Sequence, residues 1–444
     1  MTAVILSRIS RPPERAGRPH PVTSRAMPAA EPEPVDRKLI LLLAVGCGAA
    51  VANLYYAQPL LSAIAEEFGV SEGVAGLLVT VSQVAYGLGL VFIAPLSDLV
   101  DRRRLVVVLL AISCLGLIGA AAAPQFIVLA LAIGVAAATS VVAQVLVPFA
   151  STIAPERERG HVVGLVMSGL LSGILVARTV AGLIAGATGW RTVFALAAVM
   201  MAVLAVALWR ALPERRPSAS LRYGELLGSV AALIRREAVL RRRMVYGACG
   251  YAGFSLVWTT LAFLLTAPPF EFGEAKIGLF GLAGLGGATA AMRMGRLHDR
   301  GHGRVATGCV LAAVLLSWSV FFLGRHSAVA ILAGLVLLDF GVQGQNVLSQ
   351  GAIYALGRET TGRVTTAYMT SNFAGGAVGS AGGSLAWTLG GWVAVCAVGA
   401  GFAAVAMLAW LTESGPRSDR RARRPMSASP SAPSRNGTPA WKVR

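Results

Sequence analysis

Two charged residues, Arg178 and Asp339, sit well inside the long apolar runs of this 444-residue sequence. A charge at the centre of a membrane helix costs roughly 2.5–3.5 kcal/mol and is kept where it has a use. Asp339 belongs to LLDFGVQGQNVLSQ, where Asp339, Gln343, Asn346 and Gln350 recur at intervals of 4, 3 and 4 and share one helical face. Lipid cannot satisfy such a stripe, so it lines a cavity or makes a polar contact between helices. Asp339 is the one carboxylate so placed, and it is the candidate to take up and release a proton. A carboxyl group alternating between a dry surrounding and the reach of Arg178 would do this. The rivals are a permanent Asp339–Arg178 pair and no contact at all, and spacing leaves all three open.

Other polar side chains fall in the same runs: Asn53, Tyr56 and Gln58, then Gln83 and Tyr86, Ser140 and Gln144, Tyr251, Ser255 and Trp258, and Tyr368 and Asn372. Each alone is more often packing or a helix–helix contact. Together they describe a wet, weakly charged cavity with aromatic surface, suited to a neutral, zwitterionic or amphipathic organic solute. Aromatic faces also hold cations. The chemistry of an enzyme is missing. His20, His161, His298, His302 and His326 lie in tails, loops or run edges, so no Ser/His pair is placed within the bilayer. No G-x-x-x-x-G-K-[ST] phosphate loop is present, which excludes a self-contained ATP-driven pump. The glycines of 278–295 fit close helix packing. Cys47, Cys114, Cys249, Cys309 and Cys396 lie within apolar runs with no metal or disulfide spacing. Neither a cofactor nor a metal is expected.

The elements that must position these residues are membrane helices. The sequence is 55% hydrophobic and 14% charged, against about 25% charged in soluble domains. Its apolar residues gather in runs of about 20, long enough to cross a hydrocarbon core of about 30 Å. Twelve such runs are drawn: 38–61, 73–97, 104–122, 126–149, 161–186, 191–211, 244–266, 275–296, 305–324, 328–351, 364–388 and 392–412. With 51 Gly and only 7% aromatics, closely packed helices are expected. The fold class is all-α polytopic membrane protein. An even number of runs puts both termini on one side. That side holds nearly all of the 39 Lys and Arg, the other only Arg191, Lys276 and Arg325. The positive-inside rule makes it the cytoplasm and the bilayer the cell (inner) membrane. The net charge of +18 is thus a topology signal, with acidic lipid headgroups rather than nucleic acid as partners of the tails.

Residues 1–36 lack both an apolar period and a signal-peptide core and read as a disordered tail, as do 413–444. Between them lie a six-helix bundle over 37–211, a charged linker over 212–243 and a second bundle over 244–412. The linker segment YGELLGSVAALIRREAVLRRR has the pattern of an amphipathic helix. The halves repeat. Asp98 and Asp299 are 201 positions apart, Gln144 and Gln345 likewise, and the pairs Gly189-Trp190 and Gly391-Trp392 are 202 apart. Asp98, Arg102 and Arg103 after the second run, and Asp299, Arg300 and Arg304 after the eighth, form acid-plus-arginine loops suited to holding one closed state. Parallel halves of this kind enclose a site near the midplane and expose it alternately by rocking.

The stretch APLSDLVDRRR (94–104) resembles the loop signature G-x-L-x-D-R-x-G-R-R of the major facilitator superfamily, departing from it at Ala94, Leu99 and Asp101. The second copy keeps Gly295, Leu297, Asp299, Arg300 and Arg304. Gly164-x8-Gly173-x3-Ala177-Arg178-x2-Ala181-Gly182 has the spacing of the exporters' antiporter motif G-x8-G-x3-G-P-x2-G-G, with Ala-Arg for Gly-Pro. It is similar to drug/proton antiporter-like efflux proteins with twelve spans, as are NLYYAQPLL and the junction Gly189 to Phe194. The arginine that such exporters carry in the fourth run is absent. The resemblance implies two pseudo-symmetric six-helix bundles with runs one, four, seven and ten around the cavity. It implies proton-coupled efflux of a small organic solute or drug by a monomer; the alternative is an uptake permease or facilitator for a sugar-like or other small metabolite. The motif spacing also implies that the fifth run packs against a helix of the other half.

Overall fold

The computed structural model describes residues 37–155, 158–213, 223–357 and 360–413, and all regular structure among them is helical. The expected tails and residues 214–222 of the linker lie outside the described residues, except Glu413, which pairs with Arg243 at 3.4 Å. The first apolar run forms α1 (Arg37–Ala52), a turn across 53–57, a 3-10 turn at Gln58–Leu60 and the start of α2 (Leu61–Phe68). Pro59 stands at the opening of that 3-10 turn, where its missing N–H costs no bond. Next come α3 (Glu72–Phe92), α4 (Arg102–Ala121), α5 (Phe126–Thr139) continued by α6 (Val142–Ile153), α7 (Arg159–Thr188) and α8 (Trp190–Ala211).

The linker folds in part as α9 (Tyr223–Arg236), shorter than the amphipathic segment suggests. The second half is α10 (Ala238–Thr266), α11 (Glu274–Leu279), a 3-10 stretch Phe280–Gly284, α12 (Leu285–Asp299), α13 (Gly303–Leu323), α14 (Ala328–Tyr354) and α15 (Thr361–Leu411). The LRRR run that reads as linker is the first turn of α10, because Leu240 is fully buried beside Ile353, Val364 and Tyr368.

Among the described residues nine helices are long and apolar enough to cross a membrane. One of them, α15, has 51 residues, a length of about 75 Å at 1.5 Å per residue, over twice a hydrocarbon core. It turns at Gly390 and Gly391, whose backbones are not helical, and so makes two passes. The pairs α1–α2 and α11–α12 are passes broken by 3-10 turns. Helix therefore underlies each of the twelve apolar runs.

The two halves repeat in packing as well as in sequence. In the first, Gly169 and Gly173 of α7 lie on the backbone of α1; an added Cβ would come within 2.4 Å of the Ala44 carbonyl oxygen and 2.3 Å of that of Gly48. In the second, Gly375 and Gly379 of α15 lie equally close, 2.2 and 2.0 Å, to the carbonyl oxygens of Ala248 and Ala252 on α10. No larger residue fits these four positions, the small-residue packing that membrane helices favour. Gly189 and Gly391 both take positive φ, 88° and 58°, and each delivers a buried tryptophan, Trp190 and Trp392, to the next pass.

Candidate functional site

Arg178 lies two-thirds of the way along α7, 3% exposed. The 3-10 turn of the first pass brings Gln58 to it, and the Arg178 Nε donates to Gln58 Oε1 at 2.5 Å. Its guanidinium carbon stands 4.0 Å from the Trp258 ring centroid, 4.6 Å from Tyr55 and 5.3 Å from Phe254. Desolvated cation–π contacts reach about 2 kcal/mol each and a hydrogen bond to a charged group about 1.5–3. At these magnitudes they more than offset the roughly 3 kcal/mol cost of an arginine at membrane depth. The cation that the aromatic surface holds is the chain's own.

Asp339 on α14 is also 3% exposed. The 3-10 stretch Phe280–Gly284 packs against both it and Arg178. A Cβ on Gly281 would come 3.0 Å from the Arg178 Cβ, and one on Gly284 3.4 Å from Asp339 Oδ2. The two charges act on each other electrostatically, yet no nitrogen–oxygen contact within 4 Å joins them. They are neither a tight pair nor strangers. Arg178 Nη2 and Gln58 Nε2 are buried without a hydrogen-bond partner, and the buried Trp258 Nε1 and Asp339 carboxyl find none but each other. Such atoms cost about 1–3 kcal/mol each and call for water, a proton or a ligand. A cavity of about 10 Å³ lies among Gln58, Pro59, Arg178, Trp258, Leu261, Ala262 and Ile277.

This cluster lies where the halves meet. Tyr55 of the first half and Tyr251 of the second share a hydrogen bond at 3.0 Å, and Gln83 Nε2 donates to Ser255 Oγ at 3.4 Å. Phe373 of α15 packs on Tyr86 and Tyr251 at centroid distances of 4.3 and 5.2 Å. From there contacts between the halves run toward the face away from the two described ends of the chain. Thr80 and Ser380 hydroxyls are 2.9 Å apart, Ser62 and Thr266 3.2 Å, and the Trp387 indole donates to Glu72 at 2.7 Å. On the same far side α7 packs on α11, with the Thr179 hydroxyl donating to the Gly278 carbonyl at 2.9 Å. Toward the terminal face, among the described residues, α6, the first turns of α7, α12 and α14 make no comparable contact across the molecule. Gly160 and Gly164 face open space there. The halves are closed at the far face and parted at the terminal face.

Several expected cavity residues are gathered at this junction: Gln83, Tyr86, Tyr251, Trp258 and Asp339, with Gln144 donating to the Tyr86 hydroxyl at 3.4 Å. Others are not. Asn53 turns into the first bundle, its amide donating to Ser113 and Ser140 at 3.3 and 3.2 Å. Tyr56 packs partly buried against the core, and Tyr55 takes the place expected of it. Gln343 packs on Gly287 of α12, while Asn346 and Gln350 bond to each other along α14. Tyr368 and Asn372 lie buried against Gly247 of α10, inside the second half. Tyr55, Phe254 and Phe373 escape sequence reasoning because aromatics in apolar runs carry no mark of which face they occupy.

In the first acid-plus-arginine loop a 3-10 turn (Ala94–Asp98) is followed by Asp101, which accepts from the Arg104 amide at 2.9 Å and caps α4. Arg102 Nε donates to the Ser97 carbonyl, and Arg103 lies 5.9 Å from the Trp209 ring. In the second, Arg300 is exposed and Arg304 lies 5.8 Å from the Trp410 ring. The side chains of Asp98 and Asp299 lie outside the described residues. Of the small residues at antiporter-motif spacing, Gly182 meets Gly278 across the halves, whereas Gly173 packs within its own half and Gly164 touches nothing.

A family model described as Major Facilitator Superfamily matches residues 41–380. The chain belongs to the major facilitator superfamily. It is 45% identical over 372 residues to the uncharacterized transporter YgaY of Escherichia coli O157:H7, covering 84% of this chain and 94% of that one. It is 37% identical over 386 residues to the probable transporter SCO4007 of Streptomyces coelicolor, covering 84% and 88%. A probable sugar efflux transporter of Helicobacter pylori is 23% identical, covering 73% and 82%. A crystal structure of the nucleoside transporter NupG shares the fold with a TM-score of 0.70 at 14% identity, covering 84% of this chain and 99% of that one. The protein is a multi-pass membrane transporter, not an enzyme, and as a member of this superfamily it carries a small solute across the membrane.

Proposed function

We propose that this transporter works by alternating access and exports a small organic solute across the cytoplasmic membrane in exchange for protons, with both termini in the cytoplasm. One observation carries the reading. A buried carboxylate and a buried guanidinium, neither with its full set of partners, lie at the junction of two halves that are closed on one face and parted on the other. With the termini inside, this is the inward-facing state, into which a cytoplasmic solute enters. Asp339 carries the proton. In a dry junction an ionised carboxylate must find a counter-charge or accept a proton, and rocking of the halves changes which is at hand. The efflux named for the Helicobacter relative and the antiporter-like spacing in α7 support the outward direction.

The test is flux in inside-out vesicles driven by an imposed proton gradient. Wild-type protein should accumulate substrate and consume the gradient, and Asp339→Asn, inserted at the wild-type level, should lower gradient-driven transport at least tenfold. Gradient-driven transport that survives Asp339→Asn contradicts the assignment. Accumulation only in right-side-out vesicles would make the protein an uptake permease.

A further inference from the structure

We infer that the junction binds a zwitterion of the amino-acid type with an apolar or aromatic body, its carboxylate on Arg178 and its ammonium on Asp339. The inference rests on the transport reading above and names its substrate class. Rings surround the Arg178 guanidinium, and its Nε is taken by Gln58, so it can meet a ligand only with the remaining edge. On that edge Nη2 is unpartnered, and Gln58 offers a second unpartnered donor, Nε2. Two convergent N–H donors, one of them charged, fit a carboxylate. Asp339 presents the opposite need, a buried carboxyl with no cation within ion-pair distance and no partner beyond the adjacent Trp258 indole.

The site therefore holds one positive and one negative group within electrostatic reach of each other but beyond ion-pair distance. A solute of net charge would leave one of them unbalanced in a dry pocket, which costs several kcal/mol. A zwitterion satisfies both. Pro59, Trp258, Leu261, Ala262 and Ile277 wall the adjoining cavity, and an apolar body suits them. At about 10 Å³ that cavity holds about one water, so it must widen as the halves rock to admit a solute. Coupling follows from the same geometry. The ammonium and a proton need the same Asp339 oxygen, they exclude each other, and one leaves as the other arrives.

Binding to the full-length protein in detergent tests this by thermal shift and by competition with labelled phenylalanine. Phenylalanine, leucine and tryptophan are the zwitterionic probes. N-acetyl-phenylalanine, phenylalanine amide and the doubly blocked N-acetyl-phenylalanine amide remove one charge or both. At least one zwitterion should bind tenfold or more tighter than its blocked forms, and acidification should weaken it. Asp339→Asn should abolish the preference for a free ammonium, and Arg178→Gln the preference for a free carboxylate. Should Arg178→Gln fail to fold, Gln58→Leu keeps the guanidinium while removing the second donor, along with the oxygen that accepts from Arg178 Nε, and should weaken carboxylate probes with the ammonium preference left intact. N-acetyl-phenylalanine binding as tightly as phenylalanine overturns the inference in favour of an anion, and phenylalanine amide doing so favours a cation. Failure of all three zwitterions, with proton-driven flux of another solute intact, overturns the substrate class and leaves the transport reading standing. Absence of proton-driven flux of any solute sinks both.

Discussion

Arg178 and Asp339 were legible in the sequence because a charge in an apolar run has no ordinary structural use. What surrounds them was not. Tyr55 and Tyr56 are indistinguishable as residue types, and the choice between them turns on a break in the helix that no periodicity announces. The same holds for Asn53, whose spacing from Tyr56 implies a shared face only if the helix runs on unbroken. At the far face a second arginine behaves differently. Arg191 bridges Glu67, beyond the end of the first apolar run, at 2.7 Å and donates to the carbonyls of Ala121 and Ala123 at 3.0 and 2.9 Å. Partial desolvation pushes the Glu67 carboxyl up, but hydrogen bonds from Arg191 and Trp190 outweigh it and hold the group below the usual carboxylate range. Stability from this contact is therefore present above the ordinary carboxylate pKa and fades as pH falls through the depressed one. Both side chains are more than a third exposed, so its worth is under about 1 kcal/mol. Melting curves of Glu67→Gln and wild type should differ slightly at pH 7 and converge in acid once the depressed carboxyl has taken up its proton; a gap that acid leaves undiminished contradicts this account.

The elements owe their precision to glycine. Sequence pattern located the twelve runs, because apolar length is a strong signal, and missed the 3-10 turns at 58–60 and 280–284, because local breaks leave hydropathy unchanged. Yet those turns bring Gln58 to Arg178 and pack one short stretch against both Arg178 and Asp339. The motif spacing in α7 was read as one packing surface against the other half. Only its far-face part is that, since α7 leans on α1 with one stretch of small residues and on α11 with another. A Cβ at Gly182 would come 2.4 Å from the Glu274 carbonyl oxygen and 2.8 Å from the Gly278 Cα. Backbone cannot yield as a side-chain tip does, so Gly182→Val should push α7 and α11 apart and weaken far-face closure. A Ser62→Cys reporter on that background should react with a membrane-impermeant maleimide at least threefold faster than on the wild-type background. An unchanged or slower rate would mean that α7–α11 packing does not hold the closed face.

At the scale of the whole molecule, duplication explains both the fold and the placement of the site. The same small-residue contact joins α1 to α7 and α10 to α15, and the same left-handed glycine precedes a buried tryptophan in each half. Two similar rigid bodies meeting face to face leave their junction as the place able to change, and the incompletely partnered buried polar groups of Arg178, Gln58, Trp258 and Asp339 lie there. The repeat offsets made the halves visible before any coordinates. Which face is closed was not visible, because closure depends on contacts between residues such as Glu72 and Trp387, 315 positions apart. The most direct measurement joins Ser62 to Thr266, whose hydroxyls lie 3.2 Å apart across the closed face. In a variant with the five native cysteines replaced, the double substitution Ser62→Cys and Thr266→Cys should form a disulfide on oxidation. Alternating access requires that transport then stop and return on reduction. Undiminished transport with the disulfide fully formed would show that the halves do not part at this face, and the rocking mechanism would be wrong.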